Sequence, residues 1–393
     1  MRPLEGITVI TLEHAIAGPF ATRQLADLGA RVIKIERPGV GDFARGYDER
    51  VHGLASHFVW TNRSKESLTL DVKHPESQKI LQRLVAEEAD ILVQNLAPGA
   101  AARLGLSYEA LSAINPGIIV CDISGYGNDG PYRDKKAYDL LIQSESGFVS
   151  VTGTEDEPSK AGPSIADISA GMYAYSNILA ALLQKQITGR GQHLDISMLE
   201  SLVEWMNYPL YYSIDGASPP RRTGASHATI YPYGPFPAGD GKNVMLGLQN
   251  EREWAGFCEK VLLRPGLAKE ERFSSNSKRS AARDELRQII IDTFSRLTAE
   301  QVIERLEAAQ IANAHLNTMQ DVWDHPQLKG RNRWREIDTA VGKVPALLPP
   351  GSWTECEPRM DAVPALGQHT DAILSGLGYT AGDIAELRAA GAI

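Results

Sequence analysis

A chain of 393 residues is longer than one compact core usually supports, so two domains are expected. Its 43% hydrophobic content suits a globular protein; a net charge of -9 opposes nucleic-acid binding but leaves room for a local basic pocket that holds a small phosphate-bearing molecule. Cys121, Cys258 and Cys356 are far apart and form no CxxC pair, which argues against a disulfide framework or structural zinc site and for reduced thiols. No run approaches the roughly 18 apolar residues of a membrane span. Met1–Gly6 lacks the apolar core of a secretory signal, so a cytoplasmic protein with no membrane partner is expected.

In chain order, Gly6–Leu12 reads as a buried strand, Phe20–Leu28 as a helix closed by Gly29, and Arg31–Glu36 as the next strand. Ser67–Val72 is extended. Ser77–Glu88 (helix), Ala89–Gln94 (strand), Tyr108–Asn115 (helix) and Gly117–Ile123 (strand) continue the alternation, which predicts an α/β fold with a parallel, doubly wound sheet. The turn after the first strand, Glu13–Pro19, has one glycine where a dinucleotide fingerprint has three, and this disfavours a nicotinamide oxidoreductase. Ile168–Gln186 forms a long helix rich in small residues, Gly189–Gln192 turns the chain, His193–Met198 is a strand and Leu199–Asn207 a helix.

The texture then changes to Tyr, Pro, Ser and Gly. These shifts divide the chain into the N-terminal part of a large domain at 1–207, a linker at 208–228, a small domain at 229–325, and at 326–393 a return linker with the C-terminal part of the large domain. The small domain is read as a strand at Val244–Leu248 and helices at Glu251–Leu262, Ala281–Arg296 and Ala299–Ala309. Beyond Pro326 the chain is irregular until helical Thr370–Leu377 and Ala381–Ala390.

The stretch Gly162–Met172 sets one carboxylate, Asp167, at the mouth of the long helix among small residues. Two local roles are open to it. One is an N-cap that satisfies the amide donors of the helix. The other is a nucleophile, which the helix dipole would keep ionised at neutral pH.

Taken together, Ala17-Gly18-Pro19, Val32–Asp42, Asn95–Gly99, Ser124-Gly125-Tyr126-Gly127, Gly162–Gly171, Gly189–Gln192 and Leu366–Thr370 resemble, in this order and nearly end to end, the class III (CaiB/BaiF-like) CoA-transferase family. The resemblance implies a Rossmann-like large domain built from both chain ends, a smaller α/β domain between them, and an interlocked homodimer. It implies transfer of CoA from an acyl-CoA to a free carboxylic acid through anhydride and thioester intermediates on one aspartate, here Asp167. Donor and product are both thioesters, so the coenzyme A thioester is a substrate, and no metal and no permanently bound cofactor is expected. Arg37, Lys73, Arg103 and Lys136 match the family's CoA-contacting cations, and Ile16, Ala17, Leu70, Asn95, Leu96, Tyr138 and Met198 match further contacting positions.

A related 2-methylacyl-CoA racemase pairs a His with an Asp as acid and base. Tyr138 replaces that His here, and a phenol with an ordinary pKa near ~10 is a poor base for α-proton removal, which favours the transferase. A catalytically silent acyl-CoA-binding protein is disfavoured by the retained Asp167 context. Arg222–Tyr233 and Leu246–Trp254 resemble the branch acting on itaconate, mesaconate or citramalate, with succinyl-CoA as the expected donor. A second acceptor carboxylate needs a cation or several neutral donors, and His14, Arg45, Arg222, His227, Gln249 and Asn250 are the candidates. Gly247–Asn250 takes the place of the family's mobile glycine-rich loop with a single glycine.

Overall fold

The computed structural model describes residues 1–393. Strands β1 (Thr8–Leu12), β2 (Arg31–Glu36), β3 (Lys65–Thr69), β4 (Ile91–Gln94), β5 (Ile119–Ser124) and β6 (His193–Ser197) form one sheet in the order β3-β2-β1-β4-β5-β6. Every neighbouring pair is parallel. The inner strands read as near-continuous Val, Ile and Leu because both faces are covered, and Ile10, Ile33, Leu92, Val93 and Val120 are fully buried.

The connecting helices are α1 (Ala17–Asp27), α2 (Ser56–Asn62), α3 (Pro75–Glu88), α4 (Ala100–Arg103), α5 (Tyr108–Ser112), α6 (Asp139–Glu145), α7 (Phe148–Val151), α8 (Ile165–Thr188) and α9 (Met198–Trp205). Helix α3 places Ile80, Leu81, Leu84 and Val85 in one core with Ile10, Ile33 and Leu68. Helices α1 and α8 pack directly together. At their crossing a methyl group on Gly171 would stand 2.8 Å from the Ala17 carbonyl oxygen and 2.9 Å from the Phe20 ring, so the close approach requires glycine.

The chain divides into two compact units, one of residues 1–147, 161–207 and 328–393, the other of 148–160 and 208–327. In the first, the C-terminal helices Thr370–Gly376 and Ala381–Ala389 return Ile373, Leu374, Ile384 and Leu387 to the core beneath the sheet. The tail is also tied to edge strand β3, where Ser67 N–H donates to His369 Nδ1 at 3.1 Å and Thr69 N–H to Thr370 Oγ1 at 3.0 Å. The second unit is built on the antiparallel strands β7 (Tyr233–Pro237), β8 (Asn243–Gly247) and β9 (Ala312–His315), with Trp254, Phe257, Phe273 and Phe294 buried against them.

Four features depart from the sequence expectation. An antiparallel ribbon, β10 (Trp334–Thr339) and β11 (Gly342–Leu347), occupies a stretch expected to be irregular because of its prolines. Both strands of a two-stranded ribbon are edges, where Pro345 forfeits little. Helix α6 is too short to show an apolar stripe, and β3 begins at Lys65, ahead of the extended run that starts at Ser67. The expected Glu251–Leu262 helix is α-helical only to Gly256 and then widens into a π-turn over Phe257–Val261. No helix is long and apolar enough to cross a membrane.

Candidate active site

Strand order reverses at β1, whose neighbours are β2 and β4, and this leaves a crevice outside the carboxyl ends of β1 and β4. The two loops that form it are locked to each other. His14 N–H donates to Asn95 Oδ1 at 2.8 Å, and Asn95 Nδ2 donates to the His14 carbonyl at 2.9 Å. Helix α1 starts here, and the first-turn N–H groups of a helix have no intrahelical partner; in α1 these belong to Ala17 and Gly18.

Beneath the crevice lies a buried charge network. Glu13, Lys34 and Asp42 are fully buried and Lys65 nearly so. Lys34 Nζ stands 2.8 Å from Asp42 Oδ2 and 3.5 Å from Glu13 Oε1, while Lys65 Nζ stands 2.6 Å from Glu13 Oε1. Burial alone would raise the Glu13 carboxyl, but Lys65 and Lys34 outweigh it and hold it below its ordinary value. Burial pushes the Lys65 amine down to about 8 against the pull of Glu13. Asp42 also fixes the crevice loop, accepting from the N–H of Ala15, which is held at a φ of 61°.

Asp167 is the third residue of α8. The cap residue of that helix, Ser164, makes no side-chain capping bond. The capping is done from α6 instead: Asp139 Oδ1 accepts from the N–H groups of Ala166 at 2.8 Å and Asp167 at 3.3 Å. Neither carboxylate oxygen of Asp167 is hydrogen-bonded within the protein. Residues i and i+4 share a helix face, so Asp167 lies on the same side as Gly171, the side that packs against the start of α1.

The side chain retains some exposure, yet enough protein surrounds it for burial, followed by the Asp139 carboxylate, to push its pKa up to about 7. The helix dipole, expected to keep this group ionised, is outweighed. Tyr47 also faces the site: its phenol is pushed up to about 12, first by burial and then by the charges of Asp42, Asp167 and Tyr138. Tyr47 is flanked by Phe43 and His57, with ring centroids 5.8 and 5.4 Å away.

The sequence model of CoA-transferase family III matches residues 4–370. The chain belongs to that family. It is 34% identical to human succinyl-CoA:glutarate CoA-transferase over 100% of this chain and 90% of the relative. It is 32% identical to the succinyl-CoA:mesaconate CoA-transferase of Haloarcula hispanica, covering 97% of this chain and 98% of the relative. A crystal structure of a CaiB/BaiF family protein from Brucella suis superimposes with a TM-score of 0.84 at 34% identity, over 96% of this chain and 99% of that one.

This family III CoA-transferase carries its four expected CoA-binding cations on one edge of the sheet. Arg37 follows β2, Lys73 follows β3, Arg103 lies in α4 after β4, and Lys136 lies between β5 and α6. In a parallel sheet all these strand ends point the same way, and all four side chains are exposed. Asn95 and Leu96 line the β4 side of the crevice and are half-buried. Ile16, Ala17, Leu70 and Met198 are buried, with the Leu70 side chain in the main core, so Leu70 has only its backbone to offer a ligand. Tyr138 is 70% exposed and immediately precedes Asp139.

The residues expected to hold a second acceptor carboxylate divide sharply. Arg45 is occupied: it makes two 2.8 Å bonds to Glu36, reaches the Pro364 carbonyl, and lies 3.8 Å over the Phe58 ring. In the second unit, Arg222 donates to the carbonyls of Thr154, Ser150 and Glu155. His227 Nδ1 accepts from the N–H groups of Thr229 and Ile230, and its ring stacks on Tyr233. Asn250 caps the helix starting at Glu251 and also donates to Glu253. Gln249 is held by its backbone N–H to Glu253, which leaves its side chain exposed. His14 stacks over Phe43, with Nδ1 3.8 Å from Asp42 and without a hydrogen bond.

Tyr47, Asp139 and Gln143 escaped the sequence reading. Tyr47 and Gln143 belong to no motif, and nothing local in the sequence shows that Asp139, in the first turn of α6, caps a different helix.

Proposed function

We propose that this enzyme moves CoA from succinyl-CoA to a five-carbon dicarboxylic acid, with Asp167 as the covalent nucleophile. The observation that carries the proposal is the unbonded Asp167 carboxylate on the α1-facing side of α8, at the switch point of the sheet. An Asp167 oxygen attacks the thioester carbonyl carbon; the C–S bond breaks, CoA thiolate leaves and a mixed anhydride forms. The thiolate then attacks the aspartyl carbonyl carbon, releasing succinate and leaving an aspartyl-CoA thioester. The acceptor carboxylate repeats both steps in reverse and departs as the new CoA ester. The N–H groups of Ala17 and Gly18 suit the oxyanion of each tetrahedral intermediate.

Arg37, Lys73, Arg103 and Lys136 are assigned to the phosphates of CoA. Replacing any one with Ala is expected to raise KM for succinyl-CoA about 5- to 20-fold with kcat nearly unchanged, because a phosphate contact remote from the reacting carbon is equally strong in ground and transition states. Steady-state kinetics at fixed salt reads this. A loss confined to kcat would contradict the assignment.

The acceptor class rests on two relatives whose names specify glutarate and mesaconate, both five-carbon diacids. Itaconate and citramalate have the same carbon count. Among the candidates for the distal carboxylate, His14 lies in the crevice loop with a partly exposed ring whose buried Nδ1 side faces Asp42. Glutarate, mesaconate, citramalate, itaconate and monocarboxylic controls, each incubated with succinyl-CoA, test the reading. New CoA esters of the diacids are expected by mass spectrometry, and turnover of monocarboxylates alone would overturn it. We also propose the interlocked homodimer, supported by Leu183 and Ile187 on α8, which are 64% and 87% exposed. Sedimentation of the same preparation as a monomer would refute that assembly.

A further inference from the structure

We propose that Asp139 is a positioning residue for the nucleophile: it caps α8 in place of Asp167 and sets a fixed negative charge beside the Asp167 carboxylate. The inference rests on Asp167 being the nucleophile. A carboxylate at the third position of a helix ordinarily turns back to the free N–H groups of its own first turn, and such bonds consume the lone pairs an attack requires. Here two of those donors are already taken: Asp139 Oδ1 receives the N–H groups of Ala166 and of Asp167 itself, and the Asp167 carboxylate makes no bond to the Ser164 or Ile165 N–H groups that remain.

Asp139 is held in turn. Its Oδ2 accepts from Gln143 Nε2 at 2.6 Å, one turn further along α6. Gln143 is fully buried, and its Oε1 accepts from the N–H of Ala161 at 2.9 Å, on the segment that leads into α8. One carboxylate and one amide thus fix both the approach to α8 and its first turn. A Gln143 amide can satisfy an ionised Asp139 and the Ala161 N–H together, since it donates through nitrogen and accepts through oxygen.

The charge of Asp139 has a second consequence. A like charge close to a carboxylate disfavours its ionisation, and Asp139 acts in this direction on Asp167 together with burial. The other titratable groups around the site are Tyr47, Tyr138, His14 of the crevice loop, His57 against Tyr47 and, through Tyr47, Asp42; the Tyr47 phenol keeps its proton throughout the working range. An acid limb near pH 7 that moves when the charge of Asp139 is removed belongs to Asp167 with Asp139 as its partner.

The test measures the pH dependence of kcat/KM for succinyl-CoA, and of adduct formation on Asp167, in wild type, Asp139→Asn and the double variant Asp139→Asn/Gln143→Glu. In Asp139→Asn the nearby charge is gone, so the acid limb is expected to move to lower pH by about one unit. That variant also sets two amide N–H groups against each other at Gln143. The double variant restores complementary bonding, with the carboxylate one turn further from the nucleophile, and is expected to recover at least half of any lost kcat while keeping a lowered acid limb. An acid limb that stays at the wild-type pH in both variants overturns the electrostatic role, and no recovery in the double variant overturns the positioning role. Absence of an Asp167 adduct in wild type would instead remove the nucleophile reading on which the proposal stands.

Discussion

Replacing Asp167 with Asn or Ala is expected to lower kcat by about 10⁴-fold or more, because loss of a covalent nucleophile leaves only binding and oxyanion stabilisation. Binding of CoA should survive, since the exposed cations belong to other elements. The same variants are expected to be more heat-stable at pH 8. The folded-state pKa of Asp167, about 7, lies above its ordinary 3.8, so the folded chain keeps this proton longer than the unfolded chain. Stability contributed by the protonated form is complete below about pH 4 and is lost as pH rises towards 7. Removing the ionisable group therefore relieves a penalty of at most about 4 kcal/mol at pH 8, reduced by solvent screening at a partly exposed side chain. Activity assays and calorimetry at pH 5 and pH 8 check both halves. An active Asp167→Asn enzyme, or a stability gain confined to pH 5, contradicts this description of the site.

The second large effect lies underneath the crevice. Lys34 is fully buried between Asp42 and Glu13, and their carboxylates keep its amine charged against the cost of burial. In Lys34→Met the carboxylates lose their shared partner while Lys65 still faces Glu13. Removing one member of a buried ion pair costs about 3–5 kcal/mol, enough to lower the melting temperature of the first unit by roughly 10 °C. Because Asp42 anchors Ala15 and the Glu13 loop leads into His14, CoA binding should weaken in parallel. Lys34→Met/Asp42→Asn, which removes the stranded charge, is expected to regain part of the stability. Thermal unfolding reads all three proteins, and an unchanged midpoint in Lys34→Met would refute the account of the network.

Much of the fold was readable because apolar runs report it directly. Ile91–Val93 and Ile118–Val120 read as buried strands, and the long small-residue helix around Asp167 is evident from Ala170, Gly171 and Ala174. The β10–β11 ribbon was hidden by Pro345, whose meaning depends on whether a strand has one neighbour or two. At the site, position was legible but bonding was not. Arg45 and Arg222 have the composition of ligand-binding residues, yet protein partners occupy their guanidinium groups, Glu36 nine residues away and the distant Pro364 for one and the carbonyls of residues 150–155 for the other. Asp167 itself shows the same limit. The helix begins at Ile165 and not after Asp167, so Asp167 is not its cap, and Asp139, 28 residues earlier, takes the amide donors of Ala166 and Asp167.

Trapping the enzyme after incubation with succinyl-CoA tests the covalent role of Asp167 most directly. Borohydride added during turnover should reduce an aspartyl thioester to homoserine, and peptide mass spectrometry should locate that change at Asp167 alone and only when succinyl-CoA is present. An enzyme that turns over the substrate while every peptide containing Asp167 keeps its original mass, or that carries the modification on another residue, would contradict the account.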